Sequence, residues 1–308
     1  MKVKDMAPML LLALIWGCYY VASQQAVSYM SVFTVGVIIR IITFCLLTAR
    51  ILLRHEIDDL IHVKGIWPKL LLIGCLGFLL DLTAFIGLSL TSAGSGTALL
   101  KCDILFINLI SVLIYKHKFS VLEWLYTFVM LFGVMLVMGI DLKEFRIGNI
   151  GNVFFILSAL FVSINAFVIK SVQLDKQNPA KDDVVAYYNN VVAMILFIVT
   201  ACGTKTIGQI ITLKNNPSLM STLLSAGIGQ TLVFMVYYYN LRRYPVWLVK
   251  VFLLLMPVVA AVLGYVLFSD TMNLMQFAGM IVVLAGALGI LMEQKQKRRK
   301  NERNLKEG

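Results

Sequence analysis

Ten apolar segments dominate this 308-residue chain, and only short polar stretches separate each segment from the next. A helix needs about 20 apolar residues to cross a hydrocarbon core of about 30 Å, and most of the segments approach or exceed that length. No soluble domain fits between them. We therefore predict an all-α membrane protein with ten transmembrane helices, at residues 7–27, 32–53, 67–90, 93–115, 122–140, 150–170, 185–201, 223–239, 246–268 and 274–292.

The composition supports the same class. Apolar residues make up 60% of the chain and charged residues 14%, against about 45–50% and about 25% in soluble domains. This balance excludes a soluble enzyme, a disordered chain and a secreted disulfide scaffold. The first segment follows two lysines, as in a signal peptide, but its length and the nine segments after it favour a retained helix. The five cysteines form no C-x-x-C pair and are expected to be packing residues.

Lysine and arginine are distributed unevenly between the alternate connections. With the N-terminus inside, 20 of the 27 basic residues fall in the inner connections or at the inner ends of the segments, 4 fall on the outer side, and 3 lie deeper within the segments. Cytoplasmic loops carry the excess of basic residues, so we predict a plasma-membrane protein with both termini cytoplasmic. We interpret the basic tail as a solvated arm near anionic lipid headgroups, and the net charge of +11 as an orientation signal, with no nucleic-acid partner.

A weak internal repeat relates the two halves of the chain. An offset of 153 residues places Gly286 on Gly133, Gln276 on Glu123 and Asp270 on His117. Five helices per repeat is an odd number, so the two halves should face opposite ways across the bilayer, as in many secondary transporters. We predict one repeat at residues 1–146, a second at 147–293 and a basic cytoplasmic tail at 294–308.

Five charged residues lie well inside the predicted spans, away from the three or four residues at each span end: Arg40, Asp81, Lys101, Asp103 and Lys250. A charge at the bilayer centre costs about 2.5–3.5 kcal/mol on insertion scales, so such residues usually face an aqueous cavity or one another. At 1.5 Å per residue, the first four lie in one layer. Because Lys101 and Asp103 point in different directions on a helix, we expect Lys101 to face Asp81. Asp103 is then expected to form a structural ion pair with Arg40.

Lys250 enters its span by only about five residues, which leaves two alternatives. Its long side chain could reach the cytoplasmic surface, or it could face a central cavity. The spans together hold one more positive than negative charge, which an anionic solute could neutralise. We therefore predict a solute with a carboxylate or phosphate group, in the zwitterionic case with its amine near Asp81. The candidate substrate-binding residues are Asp81, Lys101, Lys250, Tyr19, Asn108, Asn165, Gln230 and Tyr237.

Several short motifs follow one another along the chain in an order that is typical of one protein family. Trp16-Gly17 lies in the first segment, Arg40 in the second and a small-residue turn at residues 91–94 before the fourth. The stretches from Pro257 to Asp270 and from Gln276 to Gly286 follow in the second half. In this respect the chain resembles the ten-helix EamA-type branch of the drug/metabolite transporter superfamily. It departs from the family pattern at Ile104, which aligns with Pro257, and at His117, where the family usually has an acid.

The resemblance implies alternating-access transport of a small solute through a cavity lined by helices three, four, eight and nine, with one and six beside them. We expect an amino acid or a related amphiphilic or anionic metabolite, moved by export. Import or antiport of a phosphorylated or nucleoside-type metabolite is the alternative. A multipass lipid-acting enzyme, a lipid-translocating protein and a channel are less favoured. The protein is expected to be a monomer or a weak homodimer.

The sequence contains no motif for nucleotide hydrolysis and no metal-ligand spacing among its three histidines. We therefore expect no cofactor and no metal. The energy for transport would come from an ion gradient, from a counter-solute or from the gradient of the solute itself. If a proton is coupled, Asp81 is the candidate for binding it.

Overall fold

The computed structural model describes residues 3–63, 65–90, 99–137, 150–259, 262 and 273–307. Every regular element in these ranges is helical. A short helix, Ile57–Ile61, and a 3₁₀ helix, Ile207–Asn215, connect longer ones. The longer helices are α1 (Val3–Val27), α2 (Val32–Leu53), α3 (Trp67–Leu90), α4 (Asp103–Leu113), α5 (Val121–Val137), α6 (Ile150–Gln173), α7 (Asp182–Gly203), α8 (Pro217–Arg243), α9 (Val246–Leu253) and α10 (Leu274–Glu307).

Each of these helices overlaps one predicted span. Six of them, α2, α3, α6, α7, α8 and α10, contain a stretch that is long and apolar enough to cross a bilayer. The apolar stretches at α1, α4, α5 and α9 are shorter within the described residues. The multi-pass helical class is therefore confirmed, whereas ten crossings remain a prediction. The predicted turn at 91–94, the repeat boundary at 146 and the segment from 263 to 272 lie outside the described residues.

The packing of the helices is nearly unchanged when the two halves are exchanged. Helices α1 to α5 of the first half correspond in order to α6 to α10 of the second half. The contact of α1 with α8 therefore corresponds to that of α6 with α3, and the contact of α2 with α8 corresponds to that of α7 with α3. The contact of α1 with α9 likewise becomes that of α6 with α4. Three further contacts, α2 with α7, α4 with α9 and α5 with α10, map onto themselves. This is the pattern that a two-fold relation between five-helix repeats produces.

Two matching helix starts confirm the offset of 153 residues in detail. At α5, the Ser120 backbone N–H donates to Glu123 Oε2 at 2.7 Å, and the Glu123 N–H donates to Ser120 Oγ at 3.2 Å. At α10, the Asn273 N–H donates to Gln276 Oε1 at 3.0 Å, and the Gln276 N–H donates to Asn273 Oδ1 at 2.8 Å. Both are capping boxes, in which two side chains satisfy N–H groups that the first helical turn leaves free.

The crossing of α5 and α10 depends on glycine. A Cβ atom at Gly133 would lie 3.0 Å from the Gly279 carbonyl oxygen, and one at Gly286 would lie 3.2 Å from the Tyr126 carbonyl oxygen. The offset exchanges these two contacts, since residue 126 corresponds to 279 and residue 133 to 286. The alignment of Gly286 with Gly133 therefore reflects close backbone contact at equivalent points of one helix pair.

Ion pairs connect several polar segments at one end of the bundle, which we call the basic face. It comprises the α2–α3, α6–α7 and α8–α9 connections with the helix ends beside them. Asp183 at the start of α7 accepts hydrogen bonds from Arg50 and Arg54 at the end of α2, at 2.8 and 3.4 Å. Arg242 pairs with Asp182 at 2.7 Å. Since these connections are the ones predicted to be cytoplasmic, their grouping agrees with the predicted topology, and orientation in the membrane remains a prediction.

Two pairs at the basic face perturb side-chain pKa values. Lys181 donates to Asp59 at 2.8 Å and to Glu56 at 3.2 Å, and these hydrogen bonds raise the pKa of the Lys181 ammonium. The hydrogen bond from Lys69 and those from nearby backbone N–H groups lower the pKa of the Asp175 carboxyl. In both cases the charged form is the one that is hydrogen-bonded.

The C-terminal tail begins as a continuation of helix α10, and its role as a solvated arm near lipid headgroups remains a prediction. Helix α10 continues without interruption to Glu307, far beyond the predicted end of its span at residue 292. The Lys297 ammonium forms an ion pair with the buried Glu123 carboxylate at the start of α5. The first turns of the tail are therefore a continuation of α10 that contacts the bundle.

Candidate functional site

Four of the five charged residues within the spans form two ion pairs. Arg40 Nη2 lies 2.8 Å from Asp81 Oδ2, and Lys250 Nζ lies 2.8 Å from Asp103 Oδ2. The predicted pairing of Arg40 with Asp103 is therefore wrong, and so is that of Lys101 with Asp81. Counting residues along the helices placed these charged groups at a similar depth in the membrane. Which of them form ion pairs depends, however, on which helices are neighbours. Helix α4 packs on α9 and α6, so the Asp103 carboxylate meets Lys250 and not Arg40.

The Arg40 guanidinium is held by several groups in addition to Asp81. Its Nη1 lies 3.5 Å from Asn190 Oδ1 on α7, and Asn190 Nδ2 donates to the Arg40 carbonyl oxygen at 3.0 Å. The guanidinium carbon lies 5.4 Å from the centre of the Phe234 ring on α8, within cation–π range. Tyr19 on α1 is within electrostatic range of both Asp81 and Arg40. Helices α1, α2, α3, α7 and α8 therefore meet at this pair.

Asp81 differs from the other paired groups in its accessibility. Its side chain is 23% exposed, compared with 12% for Asp103, 6% for Arg40 and 2% for Lys250. A charged carboxylate in a membrane protein is expected to contact water or a polar ligand on any side that protein atoms leave open. Asp81 is therefore the paired group best placed to receive a proton or a cationic group.

The second ion pair joins the two repeats. Lys250 lies on α9 and Asp103 on α4, and the Lys250 ammonium is also 5.5 Å from the Tyr237 ring centre and 5.8 Å from that of Trp16. Since the side chain is almost fully buried and paired with Asp103, Lys250 does not reach the surface of the bundle. The alternative in which it extends to the cytoplasmic surface is wrong.

Lys101 has a different environment from the other four charged residues. Its ammonium lies 3.7 Å from the thioether sulfur of Met256, in the short helical stretch after α9, and sulfur is a weak acceptor. Among the described residues no carboxylate oxygen comes within 4.0 Å of it, although Asp103 and Lys250 are within electrostatic range. The two described carboxylates deep in the spans, Asp81 and Asp103, are already paired, so the surplus positive charge of this region belongs to Lys101.

The remaining predicted site residues lie on the helices that surround these charges. Asn108 on α4 and Asn165 on α6 are buried on two helices that pack together, and the side-chain oxygen of each accepts no hydrogen bond from the described residues. Gln230 on α8 is also buried, next to Gly229, where a Cβ atom would lie 3.1 Å from Tyr19 Cβ. Their positions agree with a polar interior, and their roles in binding remain predictions.

The residues that sequence reasoning missed are Asn190, Phe234 and Met256, each of which contacts one of the in-span cations. Asn190 carried a usable signal, because it is one of two adjacent amides inside an apolar segment. Phe234 and Met256 carried none, since aromatic and thioether side chains are common in such segments. Trp16, which the sequence marks only as part of the Trp16-Gly17 motif, also belongs to the site because the Lys250 ammonium lies 5.8 Å from the centre of its ring.

The described residues contain no cluster of three or more histidine, cysteine, aspartate or glutamate side chains that could hold a metal ion. All five cysteines are free thiols. The groups present at this site are two ion pairs, one additional ammonium and several amides and aromatic rings, which are suited to ionic and hydrogen-bonding recognition.

Two exchangeable repeats of apolar helices around a charged interior are typical of membrane transporters of small solutes. A model of the EamA-like transporter family matches residues 6–139 and 149–292, and the chain belongs to this family. A comparison with curated proteins found no match. One protein of known crystal structure is similar over 96% of this chain and 99% of its own, with a TM-score of 0.77 and 15% sequence identity. That likeness shows the fold alone.

Proposed function

We propose that this protein is a secondary transporter of a small solute that carries an anionic group, with an amino acid or a related amphiphilic metabolite as the favoured class. The observation that supports the proposal most is the environment of Lys101, whose ammonium contacts a thioether while the nearby Asp103 carboxylate is paired with Lys250 and Asp81 is paired with Arg40. A carboxylate or phosphate on the solute would give this ammonium a charged hydrogen-bond partner. Such bonds are about twice as strong as neutral ones.

The accessible carboxylate of Asp81 favours a zwitterionic solute over a purely anionic one. An amino acid presents a carboxylate and an ammonium close together, and the interior holds one cation without a carboxylate partner and one partly exposed carboxylate. The aromatic rings of Trp16 and Tyr237, which are in edge contact with centres 5.3 Å apart, would supply apolar surface for a side chain. We propose that movement is by alternating access and that its direction is export.

The test is a comparison of solutes on the purified, reconstituted protein. Thermal-shift screening against amino acids, amines, nucleosides and phosphorylated metabolites selects the compounds that stabilise the folded state. Uptake or counterflow in proteoliposomes then gives KM for each stabilising compound. Replacing Lys101 with Ala should raise KM for anionic and zwitterionic compounds about 10- to 150-fold, since a hydrogen bond to a charged group contributes about 1.5–3 kcal/mol. Uncharged compounds should change little.

Lys214→Ala is the matched control, because Lys214 is an exposed lysine in the α7–α8 connection and its loss should leave every KM unchanged. If Lys101→Ala lowers affinity for charged and uncharged solutes equally, the anionic-group assignment is wrong. If only phosphorylated or nucleoside-type compounds stabilise the protein, the second candidate, import or antiport of such a metabolite, replaces the first.

Energy coupling is proposed to involve a proton or a counter-solute. Asp81 is the candidate proton-binding group because it is the most exposed of the paired groups, and because Arg40 keeps Asn190 and Phe234 as neighbours when the carboxylate is neutral. Asp81→Asn should therefore abolish accumulation driven by an imposed pH gradient. A variant that still accumulates solute with a steep pH dependence would exclude this role.

A further inference from the structure

The helical span that contains α4 is interrupted next to the site, just before α4 begins. Residues 99 and 100 are helical, residues 101 and 102 form a turn, and α4 begins at Asp103. At the interruption the backbone bonds span three residues instead of four: the Cys102 N–H donates to the Leu99 carbonyl at 3.0 Å, and the Leu105 N–H to the Cys102 carbonyl at 2.9 Å. Such short 3₁₀ stretches within a helix often mark hinges.

Helix α9 is interrupted at the equivalent place. It ends at Leu253, residues 254 and 255 form a turn, and residues 256–259 are helical again. The Leu255 N–H donates to the Phe252 carbonyl at 3.0 Å. With the offset of 153, this bond is the counterpart of the one from Cys102 to Leu99, so the two interruptions share a position and a bonding pattern.

The weakest backbone position is also the same in both helices. Pro257 has no N–H and cannot donate to the turn before it. Its counterpart Ile104 has an N–H, but this group reaches only the Lys101 carbonyl, at 3.4 Å, near the limit for a hydrogen bond. The first repeat therefore has a proline-like interruption without a proline.

We infer that the interruptions at residues 101–102 and 254–255 are a pair of coupled hinges, about which the segments of α4 and α9 change their tilt during transport. The two helices pack on each other, and the Lys250–Asp103 ion pair joins them a few residues from each interruption. Lys101 lies on one hinge and contacts Met256, just beyond the other. Broken helices in corresponding positions of two repeats are the places where transporters bind solute and change shape.

The inference rests on the proposed transport function, but it does not depend on which solute is carried. The first experiment compares two proline substitutions in the full chain, Ile104→Pro and Ile107→Pro. Both isoleucines are fully buried on α4, one helical turn apart. Ile104→Pro should give the monodisperse elution peak of the parent, because its N–H contributes little. Ile107→Pro should lose the folded peak, because it removes a regular helical bond. Equal disruption by both substitutions would overturn the inference.

The second experiment measures motion without any solute. Spin labels at Leu53 and Leu113, which are 82% and 68% exposed, are placed in a background with the native cysteines replaced, and distances are recorded in lipid nanodiscs by pulsed electron spin resonance. The parent should show at least two distance populations. Pro257→Ala, which restores the missing N–H of α9, should reduce them to one, although the labels are not on α9. Ile104→Pro should retain both.

A single distance in the parent, or an unchanged distribution in Pro257→Ala, would overturn the inference. If Pro257→Ala fails to fold, the Ile104→Pro distribution decides, since loss of one population there contradicts a hinge at that position. Neither experiment involves solute binding at Lys101. Failure of the anionic-solute proposal and failure of the hinges are therefore distinguishable.

Discussion

The Lys250–Asp103 ion pair gives the sharpest test of how the interior is arranged. It is buried, it joins the two repeats, and it replaces a partner that depth along the helices had favoured. Changing Lys250 to Met or Asp103 to Leu alone leaves the other charge without its partner. Changing both leaves two apolar side chains that can pack together. The free energies of unfolding of the parent, the two single variants and the double variant form a double-mutant cycle.

The magnitude follows from the observed separation. Unit charges 2.8 Å apart attract by about 6 kcal/mol at an effective dielectric constant of about 20. Desolvation offsets much of this attraction. We therefore expect each single variant to lose about 3–5 kcal/mol, as for other buried pairs that lose one partner, and the double variant to lie close to the parent. The resulting coupling energy is the sum of the two single losses, about 6–10 kcal/mol.

The assay is reversible unfolding in mixed detergent micelles, followed by the loss of helical circular dichroism. The matched control is the cycle between Arg40→Met and Asp103→Leu, which tests the pairing that the structure contradicts. Residues without a shared contact should give a coupling energy below about 0.5 kcal/mol. A large coupling between Arg40 and Asp103, or none between Lys250 and Asp103, would show that the interior charges are paired differently from the pairs described here.

Three further predictions concern other contacts. Gly133→Val should destabilise the protein by about 1–3 kcal/mol in the same unfolding assay, because its side chain would meet the backbone of α10; Gly203→Ala, where nothing lies within 4 Å, should not. Lys170→Met should lower the melting temperature, because the Lys170 ammonium donates at 2.6 and 2.5 Å to two carbonyl groups at the end of α8; a melting temperature equal to that of the parent would contradict this. The folded-state pKa of Asp175 is lowered, so its contribution to stability is fully present above the ordinary aspartate pKa of about 3.9 and is lost as pH falls through the lower folded value. Lys69→Ala should reduce this loss of stability at low pH. A stability–pH profile equal to that of the parent would exclude the contribution.

The fold was largely predictable because apolar length and repeat spacing are properties of the linear sequence. The segments found by hydropathy correspond to the helices, and the offset of 153 residues places the two capping boxes at the same point of each repeat. Ser120 and Asn273 cap with different side chains, and Glu123 and Gln276 differ in charge. The equivalence is thus visible in hydrogen bonding more clearly than in residue identity, which explains why the repeat is weak in the sequence.

The pairing of the charges was not predictable, for a physical reason. Depth in the membrane follows from counting residues, but direction around a helix has meaning only when the neighbouring helices are known. In a continuous helix, Lys101 and Asp103 would point in different directions, but the backbone turns at residues 101–102. Nothing in the sequence marks that interruption, since the proline that explains its counterpart in α9 is replaced by Ile104.

The backbone of this protein is nearly symmetric between the two repeats, whereas its buried charges are distributed unevenly. This difference is relevant to the direction of transport. Helix contacts, capping boxes and helix interruptions are all nearly exchangeable between the repeats. Four of the five charges deep in the spans belong to the first repeat, and only Lys250 belongs to the second.

If transport exchanges the conformations of the two repeats, the backbone contributes similar free energies to the inward-open and outward-open states. Any intrinsic preference for one state must then come from side chains, and buried charges carry the largest interaction energies available. Neutralising Lys250 together with Asp103 should therefore shift the balance between the two states more than any substitution in the exchangeable α5–α10 crossing, which the spin-label distances between residues 53 and 113 would report.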